Sequence, residues 1–387
     1  MARNPRGCMS QAAPTMKVGY VLGTTAGGTG AYVAMLAREC AARGMPVRVF
    51  GPAQARRRFF PAQPGPAAPA FAEVDISDRP RPAHDLATVL HLRRLLRAWA
   101  PDVVHAHGLR AGALTALALA GPRRRGCALL VTVHNAPPAG GAAGLVYRVL
   151  ERIVARRADA VSWVSGDLAR RMRRAGARDA GRALVPAAEF APPSAGQIAA
   201  VRASLGSQDR PIVFAAGRLV AQKGYPVLLA AATRWQQRDP VPLLVIAGEG
   251  PLAAALAQQA RSTGIEVRFL GQRADIPVLL GAADVVVVPS VWEGQPLIVQ
   301  EALRVGRPLV AARVGGIPEV TGEDAAVLVP QGDPAALAAA VESVLGDPGL
   351  AAKLGAAAAQ RAGELPSTGD AVDWVTDRYH RLLRGVR

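Results

Sequence analysis

The sequence predicts two doubly wound α/β domains in tandem, and three observations predict it. Short apolar runs alternate with amphipathic helical patterns along the whole chain, the mark of parallel sheets covered on both faces. That rhythm halts once, at the proline-rich stretch VPAAEFAPPSAGQ (185–197), and then restarts. The 387 residues, half of them apolar, suit two cores better than one.

In the first domain KVGYVLG (17–23) reads as the opening strand, and GTGAYVAMLARECAARG (28–44) as an amphipathic helix stopped by Gly44. VRVFG (47–51) is a strand, 52–70 a proline-rich loop, 84–99 a helix and DVVHAH (102–107) a strand. Helix 109–120, strand ALLVTVH (128–134), a glycine-rich loop, helix 143–157 and strand AVSWVS (160–165) complete it. The second domain runs PIVFAAG (211–217), helix 224–236, VPLLVIAG (241–248), helix 251–263, VRFLG (267–271), ADVVVVPS (283–290), helix 296–305, PLVAAR (308–313) and AAVLVP (325–330). Helices 334–346 and 350–361 follow, and AVDWVTDRYHRLLR (371–384) is a terminal amphipathic helix. The expected organisation is a disordered lead-in over 1–15, with Met16 a second candidate start, and a first domain over 16–190. A linker over 191–207, a second domain over 208–365 and a terminal helix over 366–387, packing back toward the first domain, come after it.

Composition narrows the function classes. Three widely spaced cysteines, Cys8, Cys40 and Cys127, argue against a disulfide framework and a zinc site and suit a reducing, cytoplasmic compartment. No apolar run reaches the ~20 residues of a membrane span, and MARNPRGCMSQAAPTMK makes a poor signal peptide. The charge is one-sided. Up to residue 195 there are 28 basic and 11 acidic residues, and after it 18 of each. Arginine-rich codon usage acts on both halves, so the asymmetry points to an anionic partner for the first half, such as a membrane surface or a phosphorylated acceptor. The runs RRRG (123–126) and ARRMRRAGARDAGR (169–182) carry much of that charge, and a solvated face is the other reading of them. Few aromatics and no helix-turn-helix, zinc-finger or RNA-recognition signature count against nucleic acid.

Candidate chemistry clusters at strand ends, where open α/β sheets bind ligands. In AAGRLVAQKGYPVLL (215–229), Arg218 and Lys223 are placed to grip a diphosphate, or are solvated loop charges. In SVWEGQPLIVQEAL (290–303), Glu293 precedes a helix opened by Pro296, Glu301 lies inside it, and the amides near Leu297 and Ile298 would face an anion. A carboxylate suits paired sugar hydroxyls because it only accepts; a dipole partner and a surface glutamate are the other reading. TTAGGTGAYV (24–33) matches neither a dinucleotide fingerprint nor a P-loop, which leaves close backbone approach to a ligand at Gly28. His105, His107 and His134 stand near strand ends; a substrate hydrogen bond from His134 and a structural role weigh equally.

Together these pieces resemble the retaining glycosyltransferases of family 4, which have the GT-B architecture of two Rossmann-like domains facing across a cleft. The matching stretches, in order over about 16–385, are GGTGAYVAMLARECAARG, DVVHAHG, VTVHN, VSWVSGDLARRM, GRLVAQKG, GEGPL, LGQRADIPVLLGAADVVVVPS, EGQPLIVQEAL and GGIPEV. The resemblance implies a nucleotide-sugar donor and no cofactor or metal, and the chain contains no Asp-x-Asp. It implies that Arg218 and Lys223 neutralise the diphosphate with Gly28 approaching it. Glu293 then holds the donor sugar, Glu301 the ribose, the Leu297–Ile298 amides the phosphate, and His134 touches the sugar near the reacting carbon. The implied reaction is metal-independent transfer of a hexose-type sugar with retention to a glycan, lipid-linked or small-molecule acceptor in cell-envelope or polysaccharide synthesis. The family's Val-Pro-Asn-Gly at the domain junction is VPAAEF (185–190) here, which alters the hinge. A sugar-nucleotide epimerase of the same architecture and a non-catalytic nucleotide-sugar-binding subunit are the alternatives.

Overall fold

The computed structural model describes residues 16–23, 27–61, 68–77, 81–121, 126–136, 141–207 and 209–386. The lead-in 1–15 and the arginines at 123–125 lie outside the described residues.

The first sheet has seven parallel strands in the order β3-β2-β1-β4-β5-β6-β7. They are β1 (Val18–Leu22), β2 (Val47–Gly51), β3 (Ala70–Glu73), β4 (Val103–His107), β5 (Ala128–Val133), β6 (Ala160–Trp163) and β7 (Asp179–Arg182). β1, β4 and β5 are buried along their whole length, because helices cover both faces and leave no solvent side for alternation. The second sheet has six parallel strands in the order β10-β9-β8-β11-β12-β13. They are β8 (Ile212–Ala216), β9 (Leu243–Ala247), β10 (Val267–Phe269), β11 (Val285–Val288), β12 (Leu309–Ala312) and β13 (Val327–Val329). Alternate residues of β8 and β11 feed different cores: Ile212, Phe214, Val286 and Val288 one, Val213, Ala215, Val285 and Val287 the other. In each sheet the strand order reverses beside the first strand, between β1 and β4 and between β8 and β11. Ligand crevices form at such switch points.

Several elements depart from the sequence reading. The loop expected over 52–70 holds α2 (Ala53–Phe59) and the start of β3, the segment after 165 holds α6 (Gly166–Arg174) and β7, and two short helices, α10 (Ile276–Ala282) and α12 (Ile317–Thr321), fill the second domain. The segment expected as linker carries α7 (Ala195–Ser204), which starts with a capping box: Gln197 N donates to Ser194 Oγ, and Ser194 N to Gln197 Oε1. Small residues and prolines masked that signal. α7 packs on α10, and Arg202 donates to Ala282 O and to Asp284, so it belongs to the second domain.

The terminal helix α15 (Thr368–Val386) packs on the first domain. Its Val372, Val375 and Tyr379 join that domain's core. The Tyr379 hydroxyl donates to Tyr20 at 3.2 Å and lies 2.7 Å from His105 Nδ1. Since the hydroxyl's own proton goes to Tyr20, His105 Nδ1–H must donate to it, and His105 Nε2 accepts from Thr132 at 2.6 Å. The chain of bonds continues to Ser162 on one side and Cys40 on the other.

At the carboxyl ends of the second sheet, loops touch backbone to backbone. A Cβ on Gly224 would sit 1.9 Å from Pro289 O, and one on Gly315 1.9 Å from Glu293 O. Both residues have positive φ, +67° and +51°, so only glycine meets both demands. These contacts fix the loop after β8 against the loop after β11, and that loop against the one after β12.

Two outcomes follow. Gly315→Ala lowers unfolding stability by more than about 1 kcal/mol; a urea midpoint equal to wild type would contradict the close packing. Tyr379→Phe leaves the buried His105 Nδ1–H unpaired and costs about 1–3 kcal/mol in the same measurement; an unchanged midpoint would refute the anchoring role.

Candidate active site

The site begins with the loop after β8. Val220 N closes on Arg218 O, a 3₁₀ turn follows over Ala221–Lys223, and Gly224 ends it in the left-handed region. The Lys223 stem runs back past Gly217: a Cβ there would lie 3.5 Å from Lys223 Cε. Lys223 Nζ donates to Glu293 Oε1 at 2.6 Å, and Ser290 Oγ donates to the same oxygen at 2.7 Å. The side chains of Lys223 and Glu293 are 23% and 7% exposed, so the pair is held where water screens it poorly. Tyr225 sits beneath it, its hydroxyl on Gly217 O and its pKa raised by burial and by the Glu293 charge. The ammonium keeps two of its three donors free and the carboxylate keeps Oε2 free among the described residues. Arg218 is exposed and has no ion-pair partner among the described residues.

Glu293 leads into α11 (Leu297–Val305). Pro296 stands at its N-cap with extended backbone, not at the first helical position, and no side chain caps the helix. Among the described residues nothing in the chain accepts from the Leu297 or Ile298 amide, so both are open to an anion. Glu301 lies further along α11 without a hydrogen-bond partner among the described residues. Burial raises its carboxyl above the ordinary value, and the nearby Arg304 partly offsets that.

The first domain closes the other side. α1 (Gly28–Ala42) opens at Gly28, and a Cβ there would stand 3.6 Å from Leu297 Cδ1. The first residues of α1 and α11 are therefore in contact. His134, at the end of β5, also reaches this point: a Cβ on Gly294 would lie 3.5 Å from His134 O. Its Nε2 is 3.0 Å from His107 Nδ1. Burial pulls His134 down to about 3, and burial with neighbouring histidines pulls His107 well below its ordinary value. Both are neutral, so one ring donates and the other accepts. His107 and His134 line a cavity of about 250 Å³ with Gly23, Thr29, Arg110 and Tyr147. Arg110 is spoken for there by Asp85 at 2.7 Å and by Ser77 O at 2.8 Å. His105 stacks on His107 with ring centres 4.1 Å apart but belongs to the Tyr379 network.

The structure thus joins Lys223 to Glu293, sets Gly28 against Leu297 and His134 O against Gly294, and leaves Arg218 on the loop that carries Lys223, with Ile298 and Glu301 further along α11. Sequence reasoning missed the residues that close the site. Gln295 grips Ala183 O, Val164 O and Val185 N. Gln300 pairs with both Ala187 N and Val185 O, and Arg304 donates to Ala187 O and Ala188 O. These side chains seat the altered VPAAEF junction directly on α11. Trp292 Nε1 donates to Asp167 at 2.8 Å, and Gly166 N donates to Glu319 at 2.7 Å. Polar amides in an apolar helix, as at Gln300, were the available signal; no local pattern announced Asp167 or Glu319.

Comparison with known proteins follows the same division. Residues 27–188 match a family model described as Glycosyl transferase 4-like domain, and residues 197–361 match Glycosyl transferases group 1. A D-inositol 3-phosphate glycosyltransferase of Saccharomonospora viridis is 31% identical over 397 residues, covering 94% of this chain and 91% of that protein. A GDP-mannose-dependent alpha-(1-6)-phosphatidylinositol monomannoside mannosyltransferase of Mycolicibacterium smegmatis is 31% identical over 294 residues, 71% of this chain and 73% of that one. The match to a glycogen synthase of Mycobacterium tuberculosis, 32% identical, spans 68% of this chain and 65% of the synthase. In fold, the chain superposes on Anabaena HepE in complex with UDP-glucose with a TM-score of 0.78 at 22% identity, covering 95% of this chain and 100% of that one. It also superposes on WaaG, a glycosyltransferase involved in lipopolysaccharide biosynthesis, with a TM-score of 0.73 at 15% identity, covering 94% and 99%. With two parallel-sheet domains, these family matches and these relatives, the chain belongs to glycosyltransferase family 4 and has the GT-B fold.

Proposed function

We propose that the protein transfers a hexose-type sugar, with retention and without a metal, from a nucleoside-diphosphate sugar to an acceptor hydroxyl. The observation that carries this reading is the Lys223–Glu293 pair, its glutamate on the loop that leads into α11, whose first amides find no acceptor among the described residues. Arg218, the spare Lys223 donors and the Leu297 and Ile298 amides take the diphosphate, with Pro296 setting the helix start. Glu293 Oε2 takes sugar hydroxyls, and Glu301 takes the ribose diol. In the reaction the acceptor oxygen bonds to the anomeric carbon as the bond from that carbon to the phosphate oxygen breaks. The hydroxyl proton passes to the departing phosphate, and attack comes from the face the leaving group vacates. Preorganised cations stabilise the charge growing on that phosphate. His134, neutral, serves as a hydrogen-bond partner of the donor sugar, not as an acid or base.

The acceptor we favour is a lipid-linked or cell-envelope glycan or polyol, met at the cytoplasmic membrane face. The basic first half and the lipid-directed name of one relative, the phosphatidylinositol monomannoside mannosyltransferase, support this. Among the described residues no single helix is long and apolar enough to cross a membrane.

A thermal-shift screen of nucleoside-diphosphate sugars tests the donor reading: one class raises the melting temperature, and a flat screen removes it. Lys223→Ala lowers kcat about 100- to 1,000-fold; near-wild-type turnover would sink the diphosphate assignment. The ionised Glu301 is the form that accepts a diol, and its pKa is raised, so donor KM climbs as pH falls from neutrality toward that value. Glu301→Gln removes the climb, and a wild-type-like pH profile in that variant would overturn the ribose role. His134, depressed to about 3, stays uncharged from about pH 5 upward. The kcat profile therefore lacks a limb near the ordinary histidine value, and a limb there that vanishes in His134→Ala would contradict this.

A further inference from the structure

α5 (Gly141–Arg157) and α6 wall a cavity of about 630 Å³ beside the cleft. Five arginines line it: Arg148 and Arg152 from α5, and Arg170, Arg171 and Arg174 from α6. Its two carboxylates are engaged. Glu151 holds Arg171, and Asp167 accepts from Ser165 and from Trp292. Arg148, Arg152, Arg170 and Arg174 have no such partner among the described residues. They form two like-charge pairs spaced i,i+4, one on each helix, and such pairs repel along one helix face. Pairing is not scarce in this region: Arg173, next along α6, holds Asp179 at 2.6 Å. All four are exposed, so the two walls of this one cavity present unpaired positive charge to solvent.

The cavity joins the cleft at two points. Ala136 lines it, two residues beyond His134 and so at most ~7 Å along the chain. Asp167 holds the indole of Trp292, the residue before Glu293. Unpaired guanidinium forks on facing walls suit a tetrahedral anion with several oxygens, because each planar fork takes two of them.

We propose that this cavity is a phosphate site on the acceptor side. The acceptor carries a phosphate group seated between Arg148 and Arg152 on one wall and Arg170 and Arg174 on the other. Its reacting hydroxyl then lies at the His134 end of the cleft. The role as an acceptor site rests on reading the cleft as the place of glycosyl transfer. The recognised chemistry is the phosphate group, on a soluble polyol or sugar or in a lipid headgroup.

The test titrates inorganic phosphate by calorimetry into the full-length chain carrying Arg218→Ala, which weakens the diphosphate site. Adding Arg170→Ala and Arg174→Ala is expected to weaken phosphate binding about tenfold at an unchanged melting temperature. Should that pair unfold the protein, Arg148→Gln with Arg152→Gln on the opposite wall carries the same expectation. No phosphate binding, or an affinity unaffected by these changes, overturns the proposal. Vesicles of phosphatidylcholine with and without phosphatidylglycerol separate the sources. Co-sedimentation that needs phosphatidylglycerol and is lost in the arginine variant makes the group a lipid headgroup; phosphate binding without co-sedimentation makes it a soluble acceptor. Nucleotide-sugar binding by the wild-type chain is read separately, so its failure removes the transferase reading and leaves the phosphate site standing.

Discussion

The candidate site is organised around one ion pair, Lys223 with Glu293, whose carboxylate is buried and whose ammonium is partly exposed. A buried carboxylate is tolerated only when donors surround it, and here the donors come from the ends of two neighbouring strands. Ser290 follows β11, Lys223 follows β8, and the glycine contacts at 224 and 315 hold their backbones at touching distance. The pair therefore needs the sheet's register, which also sets where α11 and the loop carrying Arg218 begin. Under the proposed function, a diphosphate meets donors that folding has already fixed in place, so little reorganisation accompanies charge transfer.

The two domains meet through directed polar bonds as well as through Trp292 and Leu297, which pack on the first domain's core. Gln295, Gln300 and Arg304 satisfy the backbone of the junction, Asp167 takes the Trp292 indole, and Glu319 caps the Gly166 amide while Arg182 lies 3.3 Å from its other oxygen. Such bonds are geometrically exact and individually modest. They hold the first domain against the loop that leads into α11.

Inside the first domain the histidines follow an opposite rule. His105, His107 and His134 are buried together, and burial keeps all three uncharged. Neutral rings add polarity beside the cleft without adding repulsion to its cations. His105 ties the sheet to α15 through Tyr379, so the last helix of the chain supports the strand that ends in His107.

Period and composition alone determined much of this protein. Fully apolar runs such as Val285–Val288 dictate buried parallel strands whatever surrounds them, and the break at 185–197 divides the cores. The motifs containing Arg218, Lys223, Glu293 and Gly28 were legible because glycine, proline and charge at strand ends have local causes. What only the tertiary structure decided is who meets whom. No pattern in the chain says that Lys223 reaches Glu293, that Gln300 accepts from Ala187 N, or that Tyr379 lands on His105, which lies 274 positions earlier. Those partnerships join residues far apart in sequence. They exist because two sheets fold with defined registers and are locked at one angle, and local propensity carries no information about either.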